Sequence, residues 1–149
     1  MRLSAKMKNK GKKIVLAGGC FDVLHPGHVI FLERAKKAGD CLIVLLESDE
    51  KVKELKGVDR PVHNQKMRAR VLSALKSVDY VVMLSLMRKN NEYDELIKKI
   101  DPDVIAATQG DINIHHRRVA QLTGAKLEIV TNIIGNYSTS QILSHNKDL

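Results

Sequence analysis

The sequence predicts an α/β fold, a mostly parallel sheet of five strands between two layers of helices. Three observations predict it. Short apolar runs alternate with amphipathic, helix-length segments from Ile14 to Val130. The run Cys41-Leu42-Ile43-Val44-Leu45-Leu46 is apolar at consecutive positions, as a strand covered on both faces requires. No repeat, linker or low-complexity tract interrupts the alternation, so one domain accounts for the chain.

The elements follow in order. Lys13 to Ala17 is a short apolar strand ended by Gly18-Gly19, and a helix is expected over 27–38, with Val29, Leu32, Ala35 and Phe31 inward and Gly39 as its C-cap. Cys41 to Leu46 is the second strand. Ser48 or Asp49 caps a short helix through Leu55, and Lys56 to Pro61 reads as a loop. Asn64 to Leu75 is helical, with Met67, Val71 and Leu75 on one stripe. Tyr80 to Leu84 is the third strand, and a helix over 92–100 is broken by Asp101-Pro102-Asp103. Val104 to Ala107 is the fourth strand, Ile114 to Thr123 a helix stopped by Gly124, and Lys126 to Val130 the fifth strand. A terminal helix over Thr139 to His145 is capped by Ser138 or Thr139. The result is a Rossmann-like three-layer sandwich whose ligands bind beyond the carboxyl ends of the strands.

Composition narrows the function. The chain has 149 residues, enough for one real core. No apolar run approaches the roughly 20 residues that span a bilayer. Residues 1–13 carry Arg2, Lys6, Lys8, Lys10, Lys12 and Lys13 with no apolar stretch behind them. They read as a flexible basic leader of a cytoplasmic protein, and 14–149 as the domain. The net charge of +8 suits nucleic acid, anionic lipid or phosphate-rich small molecules. Nucleic acid is disfavoured, because aromatics for base stacking are scarce and Lys and Arg are interleaved with Glu and Asp. Cys20 and Cys41 fall at opposite ends of neighbouring parallel strands, which argues against a disulfide and makes both packing residues.

The chemistry is concentrated in Gly18-Gly19-Cys20-Phe21-Asp22-Val23-Leu24-His25-Pro26-Gly27-His28. Gly18 and Gly19 allow a tight turn close to a ligand. The helix beginning around Gly27 offers free N–H groups and a dipole to an anion. His25 and His28, three apart across Pro-Gly, can aim two imidazoles at the same phosphates and donate to the charge that develops on a leaving pyrophosphate. Two other readings are a structural histidine pair and a zinc pair. The zinc reading has no third ligand fixed by spacing.

These residues resemble a known family. His25-Pro26-Gly27-His28 matches the HxGH signature of the cytidylyltransferase-like nucleotidyltransferases, and Gly19-Cys20-Phe21-Asp22 stands where they have G-[TC]-F-D. The likeness is greatest to the adenylyltransferase domain of bifunctional heptose-phosphate kinase/adenylyltransferases. Leu55-Lys56-Gly57, Arg60-Pro61-Val62 and Arg68 resemble its L-K-G…R-P-V…R pattern. Ser138-Thr139-Ser140 with Ile142 resembles S-T-T-x-I, with Ser140 in place of the second Thr, and Gly110-Asp111 stands for the G-D after strand four.

The resemblance implies roles. The backbone of Gly19, Cys20 and Phe21, with Gly27, would cradle the NTP phosphates, and His25 and His28 would bind and polarise them. Lys56 would neutralise the acceptor phosphate and the α-phosphate, and Arg68 would hold the acceptor or triphosphate. Gly110 and Asp111 would lie by the nucleoside, and Ser138 and Thr139 would cap the last helix against the outer phosphates. Asp22 would orient the loop or share in metal binding. Each residue also has a plain structural reading: Lys56 and Arg68 as solvated charges, Asp111 and Ser138-Thr139 as helix caps. His115, His116 and His145 read as structural or surface.

The implied reaction is in-line transfer of AMP, or less favourably CMP, from ATP or CTP to a phosphorylated small molecule, a sugar phosphate first, with Mg2+ on the departing pyrophosphate and the protein a homodimer. FMN adenylyl transfer, as in archaeal FAD synthases, and glycerol-3-phosphate cytidylyl transfer use similar motifs. A non-catalytic nucleotide- or RNA-binding module is the alternative of a different class. His25, His28, Lys56 and Arg68 together argue against it, since binding alone does not need that set.

Overall fold

The computed structural model of the protein describes residues 2–132 and Leu143. Five strands, β1 (Ile14–Gly19), β2 (Cys41–Leu46), β3 (Tyr80–Met83), β4 (Val104–Thr108) and β5 (Lys126–Thr131), form one sheet in the order β3-β2-β1-β4-β5. Every pairing is parallel. The helices are α1 (Arg2–Asn9), α2 (Pro26–Lys37), α3 (Asp49–Lys56), α4 (Gln65–Ser73), α5 (Asn90–Ile100) and α6 (Ile114–Thr123). The expected terminal helix over Thr139 to His145, with Ser138, lies outside the described residues apart from Leu143.

The unbroken apolar runs are explained by two cores. Val15 and Ala17 of β1 and Leu42, Val44 and Leu46 of β2 pack with Leu32 and Ala35 of α2 and Leu72 of α4. The alternate residues Ile14, Leu16, Cys41, Ile43 and Leu45 pack on the other face with Ile97 and Ile100 of α5 and Val119 of α6. Successive side chains of a strand point to opposite faces, so each strand feeds both cores. Carboxylates secure where β1 and β2 start: Asp103 accepts from the Ile14 amide and Asp79 from the Leu42 amide, at 2.8 and 2.7 Å.

Three local expectations are corrected. The leader expected to be flexible contains helix α1, docked on the domain: Ser4 Oγ donates to Lys99 O at 2.9 Å, Lys8 pairs with Asp103 at 2.8 Å, and Met7 packs against the second core. On α4 the inward residues are Arg68 and Leu72, one position on from the expected Met67 and Val71, which are 55% and 47% exposed. The C-cap of α2 is Ala38 in αR conformation, not Gly39. Gly39 is required for another reason, since a Cβ there would lie 2.8 Å from Lys13 O and 2.7 Å from Val15 Cγ2.

Candidate active site

The loop leaving β1 takes its shape from Phe21. Gly18 and Gly19 are the last residues of β1, and the left-handed turn falls on Phe21, at φ 44°. Gly19 is still needed, because a Cβ on it would sit 3.0 Å from the Phe21 ring. Two side chains from further along the chain hold the loop. The Asp22 carboxylate, fully buried, accepts from Arg60 Nε at 2.6 Å and from the Val62 and His63 amides at 2.8 and 3.1 Å. Arg68 donates to Cys20 O at 2.6 Å, to His63 O at 3.0 Å and to Asp49 at 2.7 Å.

This corrects the reading of Arg68. It is 1% exposed, its guanidinium is committed to those three acceptors, and it does not line the cleft. In this arrangement it positions the loop. Asp22 is explained by loop orientation, since its oxygens are engaged by Arg60, Val62 and His63. Burial works to raise the Asp22 carboxyl, but the Val62 and Arg60 hydrogen bonds outweigh it and hold it below its ordinary range.

Helix α2 then starts at Pro26, whose fixed φ and missing N–H suit the first helical position, with His25 as N-cap. The His25 amide points at His28 Nδ1, 3.4 Å away. The two imidazoles stack with centroids 3.8 Å apart and 24° between planes, and the Phe21 ring lies 5.4 Å from His28. Burial, the neighbouring His25 and the positive charge of Lys56 push His28 down to about 4, and burial also lowers His25. Both are therefore neutral near pH 7. With Nδ1 of His28 accepting, its ring proton belongs on Nε2, where it is a neutral donor.

The loop opens on a cleft of about 890 Å³ at the carboxyl ends of the strands. Gly19, Cys20, Phe21, Asp22, His25, Gly27 and His28 line it from the β1 side. Lys56, in the last turn of α3, lines it as well, with its charge felt at both Cys20 and His28. Gly110, at φ 82°, and Asp111 line it beyond β4. Asp111 is not the cap of α6; Asn113 is, its side chain accepting from the His115 and His116 amides. Ser138 and Thr139 lie outside the described residues.

Several cleft residues escape the sequence reading. Glu47 follows β2 directly, and both its oxygens lie within 3.2 Å of the Tyr93 hydroxyl on α5. Its position as the first polar residue after an apolar strand is a usable signal. Tyr93 carries none, because the sequence does not say which face of α5 meets β2. Lys51, Arg60, Arg88 and Arg118 add positive charge to the cleft wall. His115 and His116, expected to be structural or surface, line the cleft too, and burial lowers His116.

Comparison with known proteins identifies relatives in sequence and in fold. The cytidylyltransferase-like family matches residues 16–142. The chain is 44% identical over 141 residues to the bifunctional protein HldE of Aliarcobacter butzleri, a match covering 95% of this chain and 28% of that protein. It is 38% identical over 146 residues to the HldE of Pasteurella multocida, covering 96% of this chain and 29% of the relative. The chain thus spans under a third of the curated relatives it matches. Among solved structures, the lipopolysaccharide core biosynthesis protein of Thermoplasma volcanium superposes with a TM-score of 0.65 at 25% identity, over 86% of this chain and all of that one. Pantoate-beta-alanine ligase of Francisella tularensis shares the fold, with a TM-score of 0.61 at 14% identity over 98% of this chain and 74% of the ligase.

Proposed function

The chain belongs to the cytidylyltransferase-like family of nucleotidyltransferases, and from that premise we propose that it transfers AMP from ATP to the phosphate of a sugar phosphate, releasing pyrophosphate. The observation that carries the proposal is the neutral, stacked pair His25–His28 at the start of α2, in one cleft with Lys56. The likeness to the adenylyltransferase domain of bifunctional heptose-phosphate enzymes supports the sugar phosphate.

In the reaction an acceptor phosphate oxygen attacks the α-phosphorus, and the bond from that phosphorus to the bridging oxygen breaks as pyrophosphate leaves. The acceptor is already an anion and needs no general base. Catalysis rests on positioning and on charge stabilisation by donors already in place. His28 Nε2–H and the amides opening α2 face the leaving phosphates, and Lys56 neutralises the meeting of two anions. Mg2+ is the proposed metal. Among the described residues no group of three or more His, Cys, Asp or Glu is placed to hold an ion, so the triphosphate itself would carry it. Bound there, it would draw charge from the leaving pyrophosphate.

The proposal extends to a cytoplasmic homodimer. No helix among the described residues is long and apolar enough to cross a membrane, and a nucleoside triphosphate substrate fits the cytoplasm. Met67 and Val71 of α4, with Tyr80 and Met83 on the edge strand β3, are exposed apolar side chains that a second copy would cover. Light scattering of the wild type and Val71→Glu tests this; a wild-type monomer would refute it.

The test of the activity is pyrophosphate release with ATP and CTP crossed against heptose 1-phosphate, glycerol 3-phosphate and FMN. ATP with the sugar phosphate is expected to give the highest kcat/KM. Preference for glycerol 3-phosphate or FMN would replace the acceptor, and tight RNA binding without pyrophosphate release would replace the reaction class.

A further inference from the structure

One carboxylate of the cleft, Glu47, stands among cations. Lys51, Lys56, Arg60 and Arg88 line the same walls as Glu47, in a place suited to polyanions. Glu47 is half-buried and tied beside the loop after β1 by its own amide, which donates to Gly19 O at 3.1 Å. Arg68 cannot turn to it, being engaged by Cys20, His63 and Asp49. Its direct hydrogen-bond partner among the described residues is the Tyr93 hydroxyl, at 3.2 and 3.1 Å from its two oxygens.

A carboxylate accepts about four hydrogen bonds, and one hydroxyl supplies one. The remaining lone pairs face a cavity where a phosphate would be repelled. They call for neutral donors. Burial pushes the Tyr93 hydroxyl far up, with the Glu47 charge adding to it. Tyr93 therefore stays protonated and fixes the carboxylate as acceptor.

We propose that Glu47, oriented by Tyr93, is a hydroxyl-reading subsite that accepts hydrogen bonds from vicinal hydroxyls of the acceptor's sugar, and so selects a polyhydroxylated phosphate over a bare one. This rests on the sugar-phosphate reading above and adds its specificity determinant. The two ends of the acceptor are then read by opposite charges. Lys56 takes the phosphate, and Glu47 takes the neutral end that carries hydroxyls.

The test uses the full chain with Glu47→Gln, Glu47→Ala and Tyr93→Phe. Acceptor KM is measured with heptose 1-phosphate and with methyl phosphate, which has no hydroxyl, and KM is measured for ATP. Loss of a charge-assisted bond to a ligand hydroxyl is expected to cut the preference for heptose 1-phosphate over methyl phosphate by about tenfold or more in both Glu47 variants. Tyr93→Phe should show a smaller loss of the same kind. A rise confined to the ATP KM would assign the pair to the ribose hydroxyls and overturn the proposal. An equal loss with both acceptors would make the pair structural, with the same result. Calorimetry of heptose 1-phosphate without ATP separates this from the reaction itself. Binding by the wild type and its loss in Glu47→Ala sustain the subsite even where no pyrophosphate is released, and no wild-type binding refutes it.

Discussion

The Arg68 guanidinium donates to the Cys20 carbonyl at 2.6 Å across 48 positions of sequence. A charged residue on α4 therefore sets the backbone of the loop that begins the cleft. Arg68→Met keeps much of the volume and removes the donors, leaving the Cys20 and His63 carbonyls without them. An orphaned, poorly hydrated acceptor such as Cys20 O costs roughly 1–3 kcal/mol, while the exposed His63 and Asp49, the latter 42% exposed, are rehydrated cheaply. A loss of about 1–3 kcal/mol is expected in urea unfolding. Unchanged stability would show that the contact carries no weight.

His28 is expected to act as a neutral donor. His28→Ala should lower kcat by about 10² or more, the range for removing one transition-state donor, and steady-state kinetics on folded protein reads it. Near-normal turnover would sink its role.

The same group fixes a pH dependence. His28 is held at about 4, below its ordinary 6.5. Between those values the unfolded chain binds a proton that the folded chain refuses. Its contribution to stability is complete above about 6.5 and is lost as pH falls toward about 4. An NMR titration of the His28 ring should give a midpoint near 4, and a midpoint near 6.5 would contradict the burial argument.

Asp22→Asn removes an acceptor shared by Arg60 and the Val62 and His63 amides. Hydrogen bonds to a charged group are worth about 1.5–3 kcal/mol, so a comparable loss is expected. Faster hydrogen exchange at Val62 and His63 should accompany it. The wild-type contribution is present above the ordinary carboxylate value and fades as pH falls through the depressed one.

Gly39→Ala drives a Cβ against Lys13 O and Val15 Cγ2 and should cost about 1–3 kcal/mol. Gly18→Ala meets Leu45 O only at 3.7 Å. The two melting temperatures should separate accordingly.

What the sequence revealed and what it hid follow from the range of the interactions. The strands were legible because an unbroken run such as Cys41 to Leu46 reports burial on both faces directly. His25-Pro26-Gly27-His28 was legible because the stacked pair spans a single helical turn. Hydrophobic periodicity placed the buried stripe of α4 on Met67 and Val71, since it has no means of assigning Arg68 inside. The acceptors on Cys20 and Asp49, 48 and 19 positions away, make that burial tolerable. Glu47 and Tyr93, 46 positions apart, meet because β2 and α5 do. The docking of α1 depends in the same way on Lys8 reaching Asp103, 95 positions on.

The stitches that hold the loop after β1 run from Asp22 to Arg60, Val62 and His63 and from Cys20 to Arg68, spans of 38 to 48 residues. Contacts so distant carry a loop-closure entropy that only a folded chain repays. A peptide holding Gly19 to His28 would own the signature and lack its shape. The signature is thus inscribed in ten letters near one end of the domain, but the site comes into being only when α4 has docked.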